Sequence, residues 1–273
     1  MTRIRRLLLG AAATSLAWPA LVLAQQTRSL KDPMRLGADQ ALMESGLAAA
    51  LQRGFGRDTG VAVQLVGGLA LPLLDTLERG EIDAVLANAP EAELKLDKQG
   101  LVHDRQRIAD TALVLVGPAP KKKVPDPAGI AKLTDVAQAL QQLREAALAA
   151  PGSVTFLTAG DGSGSHAAEQ ALWRAAKLAP AAPWYLKASA DGTLAQQARR
   201  QGAYALIERG AWLAQAGAPL AVLVEGDARM AMPVHVMRSF RVNHPAGKLF
   251  TAWITGPKGR AVVAAHRGYR APT

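Results

Sequence analysis

Cysteine is absent from all 273 residues. That removes disulfide staples, thiol nucleophiles and lipid attachment at a leader cysteine, so the fold must rest on its apolar core. Aromatic residues make up only 4% of the chain. A nucleic-acid surface would interleave stacking rings with its basic residues, and here the rings are too few. The five histidines (His103, His166, His235, His244 and His266) are far apart and show no metal-ligand spacing, so no metal or other cofactor is expected. Beyond the first two dozen residues no apolar run is long enough to span a bilayer.

The one long apolar run opens the chain. Arg3, Arg5 and Arg6 precede Leu7 to Trp18, and Val22-Leu23-Ala24 ends the segment on a small residue. This reads as a secretory signal peptide over residues 1–24, cleaved after Ala24, which places the mature protein in the periplasm. Arg5-Arg6 leaves Sec and twin-arginine export both open. The formal charge of +10 falls to +7 without the three leader arginines. The remaining basic residues are scattered apart from Lys121-Lys122-Lys123, which lies between prolines and reads as a solvated loop.

After the leader, strand and helix patterns alternate. Met34–Ala38, Val61–Val66, Ile82–Ala87, Ala112–Val116, Val154–Leu157, Leu220–Val224 and Val234–Phe240 read as strands. Helices are expected through Leu47, Leu51 and Phe55, over Leu133–Ala149, and over Ala246–His266 with a break at Gly256-Pro257. Such alternation implies an α/β fold with mainly parallel sheets flanked by helices.

Val154–Ala175 carries the most chemistry. A short strand is followed by Gly160-Asp161-Gly162-Ser163-Gly164-Ser165 and then by a helix with Ala168, Leu172 and Trp173 at helical spacing. Small residues let a ligand approach the backbone, and the first helical N–H groups are unpaired. A ligand cradle and an ordinary capped strand-to-helix turn both fit. No Lys-Ser/Thr follows the loop, the position three after Gly162 is Ser165, and G-x-S-x-G fails, so a P-loop, a dinucleotide fingerprint and a hydrolase elbow are excluded. Asp161 and His166 have no nucleophile set beside them, and no catalytic residue is expected. His166 reads as a first-turn helix residue, and Trp173 and Trp212 as packing residues.

Glu44-Ser45-Gly46-Leu47, Gly80–Pro90 (GEIDAVLANAP), Val114–Pro118 with Asp126–Ile130, Gly160–His166 with Glu169 and Trp173, Trp184-Tyr185-Leu186, Glu208-Arg209-Gly210 and Leu223–Asp227 (LVEGD) follow one another in a specific order and spacing. In this the chain resembles the solute-binding proteins of tungstate ABC importers, a branch of the type II periplasmic binding proteins, over nearly all of its mature length. The resemblance implies two α/β lobes with a ligand cleft between them. Residues 25–112 and 235–273 would form the first lobe and 113–234 the second, with crossings near Ala112–Gly117 and Leu223–Met237. It implies a monomer that carries a small polar ligand, tungstate, molybdate or a different solute, to an ABC importer permease. An extracytoplasmic sensor or interaction module on the same fold is the alternative.

The ligand positions depart from the family. Its Thr-Thr-Thr-Ser run is here Ala38, Asp39, Gln40 and Ala41; its Ser-Arg-Gly-Asp is Thr158, Ala159, Gly160 and Asp161; the His of its His-Ala-Pro is Asn88. Losing the arginine's charge-assisted hydrogen bond costs about 1.5–3 kcal/mol. A carboxylate at Asp39 about 5 Å from a divalent anion repels it by several kcal/mol at an effective dielectric of about 20. The expected ligand-binding set is Asp39, Gln40, Gly68 and Asn88 from the first lobe with Thr158, Asp161, Ser163, Gly164, Ser165 and Arg209 from the second. In it Asp39 selects against anions or accepts from a cationic group, and Arg209 is the candidate cation. The turns around residues 39 and 163 are expected to face each other across the gap.

Overall fold

The computed structural model describes residues 29–215 and 217–272; the expected leader lies outside the described residues. Three parallel strands open the fold. β1 (Met34–Asp39) pairs with β2 (Val63–Gly68) on one side and β3 (Ala84–Ala87) on the other. Between them run α1 (Gln40–Glu44), α2 (Leu47–Thr59) and α3 (Ala70–Arg79), and α4 (Pro90–Lys98) follows β3. Alternation along the strands divides their side chains between two faces. Ala84 and Leu86 of β3 join Leu36, Leu47, Leu51 and Phe55 in one core, while Val85 and Ala87 join Leu73, Leu74 and Leu77 in another.

β4 (Val102–Pro118) is the longest strand and ties the molecule together. Its first part runs antiparallel to β9 (Ala231–Ser239), which in turn pairs with β3. Its last part pairs with β7 (Ala205–Glu208) and β8 (Leu220–Val224), again antiparallel. Leu113 and Leu115 face one core and Val114 and Val116 the opposite one. α5 (Val136–Ala149) and α6 (Gly164–Ala175) cover the first of these faces; α7 (Leu194–Gln201) and α8 (Arg209–Gln215) cover the second. β5 (Phe156–Thr158) and β6 (Tyr185–Lys187) form a parallel pair beside them. The chain ends in α9 (Pro245–Thr255) and α10 (Pro257–Ala265), broken at the expected Gly256-Pro257 step.

The architecture is the expected α/β class. Its parallel pairings lie within β1–β3 and β5–β6, and the antiparallel ones all involve β4 or β9. β4 begins ten residues earlier than the pattern at Ala112 suggests, because His103 to Gln106 carries almost no apolar alternation. That part lies on the outer side of β9, with register shifts and with Asp104 at φ 54°. Lys121 to Lys123 are exposed, as expected of a loop. Among the described residues no helix is long and apolar enough to cross a membrane.

Candidate functional site

Asp39, Gly68 and Asn88 lie at or just past the C-terminal ends of three adjacent parallel strands, and Asp39 pairs with Gly68 in register. Open α/β sheets place ligands at such strand ends. The loop after β5 arrives opposite, carrying Asp161, Ser163 and the start of α6. Between the two lies a cavity of about 440 Å³ whose walls include Asp39, Gln40 and Glu44 on one side and Asp161, Ser163 and Ser165 on the other. The two turns do face each other.

Local structure explains how each turn is held. Asp39 caps α1, its Oδ1 accepting from the Ala41 N–H at 3.0 Å. Ser163 caps α6 by accepting from the His166 N–H at 3.2 Å. The Asp161 carboxylate accepts from the Ser163 N–H at 2.9 Å, and His166 Nδ1 accepts from the Gly162 N–H at 3.1 Å. Gly160 and Gly162 adopt φ of +58° and +79°, which a side chain would oppose. His166 lies in the first turn of α6, as expected, and its ring in addition braces the turn before it.

The first turn of α6 touches the β3 end directly. A Cβ on Gly164 would lie 2.0 Å from Asn88 Oδ1 and 2.8 Å from the Asn88 carbonyl oxygen, so only glycine permits the approach. Several buried polar atoms at this junction have no hydrogen-bond partner: Asp39 Oδ2, both polar atoms of the Asn88 side chain, and Ser165 Oγ. Buried polar groups are normally satisfied, and an orphaned set next to a cavity marks a place where a ligand can supply partners.

Burial raises the Asp39 carboxyl to about 6; the Ala41 and Gly164 N–H groups pull it back down, and the charges of Asp161 and Glu208 push it up. Burial also raises Glu44, against hydrogen bonds from Gln40 and Gln215. Glu208 is raised by burial too, but its carboxylate is fully engaged by Thr111, the Gly210 and Ala211 N–H groups and the Tyr269 hydroxyl. It braces the junction of β7, α8 and the chain end.

The remaining expected residues are placed differently. Thr158 is buried and donates to Glu169 at 2.9 Å, so its hydroxyl is committed beneath the loop. Asn88 and Gly164, expected in the same site, do not line the main cavity; they line a second, neighbouring one of about 400 Å³ between β3 and α6. Arg209, expected as the cation of the cleft, lies on another side of α8, where it pairs with Glu225 at 2.5 Å and lines a separate cavity with Asp110 and Tyr269. The first residue of α8 points its side chain toward the end of β8, away from the gap.

The cation in the main cavity is Lys187, which the sequence reading missed. Its stem lies over Gly160, where a Cβ would come within 2.9 Å of Lys187 Cδ. Its position at the C-terminal end of β6, parallel to β5, is the signal that could have found it. Ser189, Thr193 and Gln197 complete that wall and were missed too. The buried Gln197 amide braces the 189–192 turn by accepting from the Ser189 N–H and donating to the Ser189 and Gly192 carbonyls.

The pattern described as PBP superfamily domain matches residues 36–241. Tungstate-binding protein TupA of Peptoclostridium acidaminophilum is 26% identical over 245 residues, covering 85% of this chain and 81% of its own. The crystal structure of the tungstate ABC transporter from Geobacter sulfurreducens superposes with a TM-score of 0.72 at 28% identity, covering 85% of this chain and 98% of that one. The tungstate-binding protein from Desulfovibrio alaskensis G20 shares the fold, with a TM-score of 0.70 at 23% identity over 89% of this chain and all of that one.

Proposed function

This chain belongs to the PBP superfamily, and on that premise we propose that it is the extracytoplasmic solute-binding protein of an ABC-type importer. Its relatives include tungstate-binding proteins, and the proposed ligand is a small polar solute of that size, a tungstate- or molybdate-like oxyanion or a different one. The observation that carries the reading is the cavity between the strand ends of β1–β3 and the first turn of α6, with unpartnered polar atoms of Asp39 and Ser165 in its wall. Residues 25–112 with 235–273 act as one lobe and 113–234 as the other. Closure of the lobes over the solute makes the form that the permease reads, because only a ligand preferring the closed state shifts the population toward it. The protein works as a monomer in the periplasm and passes its cargo to the permease unchanged.

A thermal-shift panel on the purified protein tests this. A true solute at 100 times its Kd adds about 2.7 kcal/mol of stability, seen as a rise in Tm of several degrees. A panel of oxyanions, amino acids, polyamines and sugars in which nothing moves the transition would end the transport reading.

A further inference from the structure

Whatever solute this cleft takes must satisfy the groups that line it, and these are not the groups an oxyanion needs. The cavity wall carries four carboxylates, Asp39, Glu44, Asp161 and Glu208, against one ammonium, Lys187. Glu208 is saturated by hydrogen bonds from its own neighbours. Of the other three, Asp161 repels both Asp39 and Glu44. The N–H of Gly164, at the start of α6, is where an anion would profit from the helix end. The Asp39 carboxylate already lies against that N–H, so the chain brings its own anion to the position. Asp39 is fully buried and its second oxygen, Oδ2, has no partner. Asn88, against the same turn of α6 but in the wall of the neighbouring cavity, leaves both its acceptor and its donor unpartnered and favours neither charge class.

We propose that the cleft binds a cationic solute, a small primary ammonium or guanidinium compound, with Asp39 as the residue that accepts from its charged nitrogen. This rests on the solute-binding reading and narrows it to a charge class. The unpartnered Oδ2 needs a donor, and an ammonium or guanidinium supplies both the hydrogen bond and the charge that three close carboxylates lack. Asp161 and Glu44 add attraction from the two sides of the gap, and Ser165 Oγ offers a further partner. A cavity of about 440 Å³ holds a molecule of amino-acid or short polyamine size. Oδ2 is buried in this arrangement, so the solute reaches it when the two walls part.

The sign of the pH dependence separates the two charge classes. A cation needs Asp39 ionised and is released as the carboxyl takes up its proton below about pH 6. An oxyanion would show the reverse, since protonation removes a repulsion and creates a donor. The groups facing Asp39 are Glu44 from α1, Asp161 and His166 from the loop and first turn of α6, Lys187 from β6, Glu208 from β7 and Tyr269 from the chain end. Isothermal titration of the purified protein with L-arginine, L-lysine, putrescine and spermidine, and with tungstate, molybdate and sulfate, at pH 8 and pH 5, reads the outcome. The expected result is a cation that binds about tenfold more weakly at pH 5, where only about one-tenth of a carboxyl with a value near 6 is ionised. Asp39→Asn keeps the capping acceptor for Ala41; it should weaken that cation at least tenfold at pH 8 and flatten its pH dependence. The pH series itself requires no substitution. An oxyanion that binds, and binds more tightly at pH 5, overturns the cation assignment while leaving the solute-binding reading intact. Silence from all seven probes overturns the assignment and withdraws support from that reading as well.

Discussion

At the scale of single residues, Glu169 and Asp39 are two of the buried carboxyls that make stability depend on pH. Glu169 lies buried under the Gly160–Ser165 loop and accepts from Thr158 Oγ1, Trp173 Nε1 and Tyr185 OH. Burial raises it to about 7, with those three hydrogen bonds pulling the other way. A carboxyl raised in the fold contributes stability that is complete below its unfolded value, near 4.5, and is lost as pH rises through 7. Asp39 follows the same rule with its value near 6. Glu169→Gln keeps an acceptor for Trp173 and Tyr185 and cannot ionise. Its Tm relative to the native protein should therefore rise between pH 5.5 and pH 8, by a few degrees for a difference on the order of 2 kcal/mol. Glu169→Ala instead strands the buried Thr158 and Trp173 donors and the half-buried Tyr185 hydroxyl, and should cost about 3 kcal/mol or more at any pH. Denaturation curves of both variants across that range check the pair, and a Glu169→Gln curve parallel to that of the native protein would refute the assignment.

At the scale of elements, the cavity wall depends on helices whose starts are locally specified. α7 begins with a complete capping box, in which Thr193 Oγ1 accepts from the Gln196 N–H and Gln196 Oε1 accepts from the Thr193 N–H. Thr193 Oγ1 also donates to Gln215 of α8 at 2.5 Å, joining the two helices that line the same wall. Thr193→Ala should cost about 1–2 kcal/mol, more than an isolated cap because both bonds are lost. Urea unfolding measures this, and hydrogen exchange should show the loss concentrated in α7. The sequence carries the matching local signal, since Thr193 and Gln196 have the T-x-x-Q spacing of a capping box at the head of a helical pattern. β4 was only half readable, since its polar first part acquires strand structure from β9 alongside it and not from its own alternation. α1 was missed altogether. Five residues make too short a pattern for a periodicity argument, and Asp39 supplies the cap that starts it.

At the scale of the whole molecule, the proposed closure of the lobes would bring the first turn of α6 against the end of β3, where Gly164 and Asn88 meet. Ala at Gly164 would improve the helix by roughly 1 kcal/mol, yet its Cβ would strike the backbone oxygen of Asn88 as well as the side chain. Gly164→Ala should therefore unfold no more easily than the native protein while being unable to close. Small-angle scattering would record a larger radius of gyration in the variant, unchanged by any probe that compacts the native chain; a variant that compacts equally would remove Gly164 from the closing surface. What the sequence by itself determined was the α/β class, most strand and helix positions, the family and the two turns that meet at the cleft. Those properties follow from local periodicity, caps and glycine placement, which act within a few residues. The tertiary structure alone decided that Lys187 replaces Arg209 as the cleft cation, that Thr158 is spent on Glu169, and that Asp39 lies against the Gly164 N–H. Each depends on which side of one element faces another, and that is set by packing between separate cores rather than by the order of residues along any one segment.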